Sequence, residues 1–417
     1  MIGILKINTD GIEDPLTLDK LTVNLNGTKN LDDITGINIY YTGDSEKFSS
    51  ITQFGAENIQ PSAGNIEIDG FQELGYGKNC FFIIFNLKET IKDGSWFDAE
   101  CVTVTINGED KTPEISAPEG RKDYLHRVTL VKQGDKGVHT YRIPALVTAV
   151  DGTVIAAYDY RWNNSPDLPG NIDVGVSLSH DSGVTWEKSF IAMDLDYGVG
   201  DPILTVDKET GRIFLMALYG DGNTGLFSKP ITGERPVIAV SHSDDNGTSW
   251  STPRFISTEV NEAGWTTSLA APGNGMQMRD GTIVIPAYAR PVDSSNSLNS
   301  FIFYSTDHGE TWSSSSLLPT GTTECTVIEL KDGRLMLNMR NHHNQDVRAV
   351  AHTSDMGTTW SSLTYSSELL DPVCQGNMIR YTSTLDGYQK DRILISNAAA
   401  SSRTHMTIKM SYDEGET

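Results

Sequence analysis

Four arginines and two carboxylates stand where their chemistry could converge. The arginines are Arg142 in YRIPAL, Arg161 in YDYRW, Arg340 in LNMRN and Arg403 in SSRTHMTIK; the carboxylates are Asp167 in NNSPDLPGNIDVG and Glu324 in TTECTVIELKDG. Guanidiniums that converge within a chain of Lys+Arg 32 against Asp+Glu 55 require an anion, and a carboxylate matches the guanidinium fork. Carboxyl groups, in turn, can give and take protons. Each residue taken singly has an ordinary reading. An arginine at a strand end is a solvated charge, an Asp before Leu-Pro starts a turn, and a Glu opening an apolar strand guards an edge. Arg290 in PAYAR competes with the arginines and Asp173 with Asp167, whereas Arg348 and Arg380 read as surface or packing residues. Only the elements around them can lift the first six above this background.

Those elements repeat. SHDSGVTW (179–186) recurs as SDDNGTSW (243–250), STDHGETW (305–312) and TSDMGTTW (353–360), and SYDEGET closes the sequence at 411–417. An apolar strand, a polar turn and a second apolar strand precede each copy, as in ALVTAVDGTVIAAY and TVIELKDGRLMLNM, with Asp-Gly in the turn. A further apolar strand leads into each motif. Four strands in about 50–60 residues make a propeller blade. Within the motif, Ser and Asp accept turn N–H groups, Gly permits positive φ, and Trp packs into the blade. One carboxylate per turn is a poor calcium site, so the motif is scaffold. In this frame Arg142 and Glu324 open inner strands, Arg161 and Arg340 close second strands, and Arg403 precedes a third. Matching strand ends of different blades meet at one face of the axis.

Ahead of the repeats, residues 1–120 read as a small antiparallel β-sandwich, with strands in LTVNLNG, INIYYTG, NIEIDG, NCFFIIFNL and ECVTVTINGED. The stretch 108–122 reads as a linker, and 121–417 as the propeller. The whole chain has 417 residues, net charge −23 and 38% hydrophobic residues. That balance excludes a disordered acidic tail and disfavours a nucleic-acid backbone as partner. No apolar run approaches the roughly 18–20 residues of a membrane span. Cys80, Cys101, Cys325 and Cys374 lack zinc-site spacing, and buried free thiols are favoured over a Cys80–Cys101 bridge. The start, MIGILKINTDG, is too short for a signal-peptide core, and SYDEGET stops within a motif copy, so both ends read as cut.

The motif copies, with Tyr141-Arg142-Ile143-Pro144 ahead of the first, resemble the bacterial exo-α-sialidases (neuraminidases) of glycoside hydrolase family 33, in which the motif is called the Asp-box. The resemblance covers about 125–417, and the N-terminal part is similar to the sandwich of Bacteroides-type sialidases. It implies an all-β fold: a six-bladed propeller, about five blades of it present, after an accessory or carbohydrate-binding-like sandwich. It also implies removal of terminal sialic acid from glycans with retention. Arg142, Arg340 and Arg403 match the arginine clamp for the sialic-acid carboxylate, and Arg161 matches a further pocket arginine. Asp167 matches the acid/base and Glu324 the residue that activates a tyrosine nucleophile. A neutral phenol escapes the repulsion that a carboxylate nucleophile would meet from the substrate carboxylate. The resemblance puts that tyrosine after Arg403, beyond Thr417, where none of the 15 tyrosines stands. It implies no metal and no cofactor, sialylated glycans as partners, a monomer, and a periplasmic, secreted or cell-surface location. A non-catalytic sialic-acid-binding propeller and an intramolecular trans-sialidase are the alternatives; the presence of both Asp167 and Glu324 favours an enzyme.

Overall fold

The computed structural model describes residues 3–10, 14–46, 48–88, 90–91, 94–116, 122–123, 128–220, 237–292, 297–343 and 346–417. The chain divides into two compact units, Met1–Arg127 and Val128–Thr417.

The first unit has two four-stranded sheets. One orders Gly3–Thr9, Gly77–Leu87, Ile34–Tyr41 and Thr52–Ile59; the other orders Asn65–Glu73, Thr17–Asn24, Glu100–Ile106 and Glu109–Lys111. Alternation along the strands turns Leu21, Val23, Ile37, Ile39, Phe81, Ile83 and Val104 inward to a common core. The expected linker begins too early at 108. Glu109–Lys111 hairpins onto Val104–Ile106 through Asn107 and Gly108, both at positive φ, so a polar stretch without apolar weight still completes a sheet edge. Lys122 and Asp123 also pair, with Phe97 and Trp96, while 117–121 lie outside the described residues. All four cysteines are free thiols, and burial pushes Cys101 up to about 11.

The second unit is a β-propeller. Its first blade runs Thr140–Thr148, Val154–Arg161, Ile172–Ser179 and Phe190–Met193. The second runs Val199–Val206, Ile213–Tyr219, Ile238–Ser243 and Arg254–Phe255, and takes Gly273–Asn274 as a parallel inner addition. Trp265–Ala270, Ile283–Pro291, Asn299–Ser305 and Ser313–Ser314 form the third, and Thr322–Glu329, Leu335–Asn341, Val347–Thr353 and Thr364–Leu370 the fourth. The fifth has three strands, Asn377–Thr382, Arg392–Ala398 and Met406–Ser411. Buried faces of adjacent blades share cores. Ile155, Val176 and Leu178 of the first pack with Leu204, Ile213 and Leu215 of the second.

The repeated motif closes each blade by the same bonds. In the third copy Ser305 Oγ donates to Asp307 Oδ1 at 2.7 Å and accepts from Gly309 N at 2.8 Å. Asp307 also accepts from Thr311 N at 2.9 Å and Thr311 Oγ1 at 2.5 Å. Asp181, Asp245, Asp355 and Asp413 repeat the pattern. Ser182, Asn246, His308, Met356 and Glu414, just before the glycine, are all left-handed. In blades two to five the glycine seats the motif on the preceding blade: a Cβ on Gly309 would meet the Phe214 ring at 2.4 Å, and one on Gly247 would meet Ile155 at 2.9 Å, whereas one on Gly183 of the first blade would meet its own motif's Trp186 at 3.8 Å.

Candidate active site

The inner strands are irregular at their first residues. In blade one the register with the second strand shifts between Arg142 and Ala145, around Ile143 at φ 53° and Pro144. Blade two repeats the device between Gly200 and Ile203, around Asp201 at φ 57° and Pro202. In blade four the shift falls between Thr322 and Cys325 and takes in Glu324. Bulges re-aim side chains, and here they sit at one end of the propeller. The motif turns occupy the other end: Arg161 pairs with Ile172, whereas Ser179 pairs with Val154. At about 3.3 Å per residue, those two ends of the blade-one strand are roughly 20 Å apart.

Register decides which side chains meet. Arg142 pairs with Asp159, and Arg161 lies two residues further along the second strand, so all three share a face. Asp173 pairs with Tyr160 and faces the opposite way, where it accepts from Trp162 Nε1 at 2.6 Å. Geometry therefore removes Asp173 as a rival to Asp167.

Arg161 is buried, at 1% exposure, and fully engaged. Its Nε and Nη2 donate to Asp159 Oδ2 at 3.1 and 2.8 Å. Its Nη1 donates to Ser165 O and to Asp167 Oδ1, each at 2.7 Å. Arg142 Nη1 reaches the same two acceptors, at 3.1 and 3.0 Å. Two guanidiniums thus hold the loop that carries Asp167, whose side chain stays 68% exposed. Arg340 Nη1 donates to Glu324 Oε2 at 2.8 Å, as expected for partners on one hairpin. The Arg340 Nε is buried without a hydrogen-bond partner among the described residues.

Two acids that sequence reading missed link these clusters. Asp159 is fully buried, and its Oδ1 accepts the backbone N–H of Asp201 at 2.9 Å. Asp201 Oδ1 lies 3.9 Å from Arg161 Nη2. Burial, reinforced by the charges of Asp159, Glu324 and Asp167, pushes Asp201 up to about 8. Burial also raises Asp159, to about 6, against the pull of Arg161. A signal for Asp201 was present: Gly200-Asp201-Pro202-Ile203-Leu204 repeats, one blade on, the pattern of Arg142-Ile143-Pro144-Ala145-Leu146. Tyr288, on the second strand of blade three, is buried beside Glu324 and Asp201. Burial first, then those two charges, pushes its hydroxyl well above the usual tyrosine range, so it remains a neutral phenol.

The structure thus joins Arg142, Arg161 and Asp167 directly, joins Arg340 to Glu324, and brings the two groups to the field of Asp201. Arg403 stands apart in its contacts: it is exposed, and its Nη2 donates to Val373 O at 3.2 Å. Arg348, by contrast, is fully buried and bonded to Asn338 and to Cys374 O, and Arg380 grips Glu414 at 2.7 and 2.6 Å; both are packing residues.

Comparison with known proteins gives two family matches. Residues 135–417 match the BNR repeat-like domain, and residues 3–110 match the N-terminal domain of BNR-repeat neuraminidase. A sialidase of Bacteroides fragilis is 33% identical, over 96% of this chain and 80% of its own length. A sialidase of Micromonospora viridifaciens is 32% identical over 75% of this chain, which spans about half (51%) of that longer protein. Among solved structures, the Hadza microbial sialidase Hz136 superposes with a TM-score of 0.80 at 30% identity, covering 100% of this chain and 88% of that one.

Proposed function

The chain belongs to the bacterial sialidases, glycoside hydrolases that act on sialic acid, and we propose that it is a retaining exo-α-sialidase that frees terminal sialic acid from glycans outside the cytoplasm. The observation that carries this reading is the double grip of Arg142 and Arg161 on Asp167, together with the Glu324–Arg340 pair. An acid that must reach a departing glycan oxygen needs an exposed carboxyl on a fixed loop, and Asp167 has both. Glu324 takes the proton of a tyrosine nucleophile, which on this reading lies outside the 417 residues. Arg142, Arg340 and Arg403 bind the substrate carboxylate, and Arg161 supports the pocket beside them. Arg142 has two claimants, the substrate carboxylate and Asp167.

The test separates proton donation from nucleophile activation in the full-length protein. Pre-steady-state glycosylation is measured with sialyl-lactose and with 4-methylumbelliferyl sialoside, whose good leaving group hardly needs a proton. Asp167→Ala is expected to slow sialyl-lactose cleavage by about 10²–10⁴-fold and to spare most of the rate with the activated substrate. Glu324→Ala is expected to slow both, because nucleophile activation does not depend on the leaving group. Equal losses for Asp167→Ala on the two substrates would remove it from the proton-donor role.

A further inference from the structure

Asp159 is itself fully buried, yet it holds two pocket residues at once. One oxygen takes the Nε/Nη2 edge of Arg161, and the other takes the backbone N–H of Asp201. We infer that Asp159 is a positioning residue of the active site: it fixes Arg161 so that only Nη1 faces the Asp167 loop, and it fixes the backbone that carries Asp201. This inference rests on the sialidase reading of the site.

Three observations carry it. First, Arg161 and Asp159 are both buried, so neither can exchange its partner for water; with its far edge occupied, the guanidinium has Nη1 left for Ser165 O and Asp167 Oδ1. Second, Asp201 sits at φ 57°, unfavourable for a residue with a Cβ, and such a conformation persists only where surrounding contacts over-determine it. The bond from Asp201 N to Asp159 is such a contact, reaching from blade two to the second strand of blade one. Third, the neighbouring position has no room to spare. A Cβ on Gly200 would lie 3.1 Å from Asp159 Oδ1 and 3.2 Å from the Ile172 side chain. Asp159 therefore sets the spacing between Asp167, reached through Arg161, and Asp201, reached through the backbone.

A residue that acts through another reveals itself in a double-mutant cycle. Asp159→Asn keeps the size and loses the charge; Arg161→Met removes the group through which it acts. The readouts are kcat/KM for sialyl-lactose, the Kd of the inhibitor DANA for the folded protein, and Tm. In the parent background, Asp159→Asn is expected to lower kcat/KM by about 10- to 100-fold and to weaken DANA binding, as misplacement of a binding group does. Over Arg161→Met, the same change should cost only a small fraction of that. Gly200→Ala, which crowds the Asp159 carboxylate while leaving its charge, should also lower kcat/KM at a Tm close to the parent; it carries the test if Asp159→Asn does not fold. A fall in Tm with kcat/KM and Kd unchanged in both Asp159→Asn and Gly200→Ala would overturn the inference, as would equal losses in the two backgrounds. Should Arg161→Met lose activity and Asp159→Asn keep it, positioning by Asp159 fails alone. Should Arg161→Met behave as the parent, the reading of Arg161 as a pocket residue fails, and the positioning role falls with it.

Discussion

Replacement of Asp307 by alanine should lower stability and leave turnover untouched. Its carboxylate accepts three bonds inside one turn, from Ser305 Oγ, Thr311 N and Thr311 Oγ1. The turn is partly open to solvent, so water replaces some of what is lost, and the net cost is about 1–2 kcal/mol. For a unit larger than about 150 residues that corresponds to a drop in Tm of roughly 2–6 °C, read by circular dichroism or differential scanning fluorimetry. Catalytic constants should not move, because the motif turns lie at the opposite end of the blades from Arg161. The dependence on pH gives a second check. Burial works against the charged form of Asp307, but the Thr311 and Ser305 bonds win and hold its carboxyl at about 2. Its unfolded value is about 3.9. The folded state therefore binds the proton less readily, and the contribution is complete above about pH 4–5 and lost as pH falls toward 2. The Tm gap between parent and Asp307→Ala should close across that window. A large loss of kcat/KM at unchanged Tm, or a gap that persists in acid, would refute the scaffold assignment.

The Asp201 carboxyl is raised rather than lowered, so its sign is opposite. The folded protein holds that proton up to about 8 while the unfolded chain releases it near 4, and stability falls as pH rises between them. Asp201→Asn removes this slope, so its Tm relative to the parent should climb from pH 5 to pH 8; a flat difference would contradict the burial argument. Gly309→Ala combines φ 82° with a Cβ 2.4 Å from the Phe214 ring, and should cost about 3 kcal/mol in denaturant unfolding, whereas Gly333→Ala, at φ 85° in open space, should cost about 1–2 kcal/mol.

Local chemistry was the legible part. Asp-Gly turns, alternation and the repeated motif reveal the blades because hairpin and motif bonds join residues close in sequence. Arg142, Arg161, Asp167, Arg340 and Glu324 could be placed because strand ends follow from that count. Asp159 was hidden because its role depends on register and on a bond between blades, and an isolated Asp in an apolar strand carries no local mark; Asp201 was marked only by the repeat of the Arg142–Leu146 pattern one blade on. Arg348 shows the same limit: it is buried only because Asn338 and the carbonyl of Cys374 meet it there. Arg403 precedes its strand as expected, but no spacing rule reports which neighbour takes its guanidinium. The Gly3–Thr9 edge strand went unread because a short alternating segment at a chain start resembles an unstructured leader.

The seating of the motif glycines of blades two to five on the blade before bears on how such a chain can grow. Each blade carries the fastener for the seam behind it, so a tandem duplication delivers a new sheet together with the part that attaches it. The left-handed residue beside the glycine is then free to diverge from copy to copy. His308 reaches the buried Asp207 at 2.8 Å, Glu414 takes Arg380 and the N–H of Lys331, and Met356 packs against the neighbouring core. Seams built on one motif thereby carry a histidine–carboxylate hydrogen bond, a carboxylate that takes an arginine and a backbone N–H, and an apolar contact. Those differences between copies lie at the end of the blades away from Arg142, Arg161 and Glu324, so a seam can vary without touching the site.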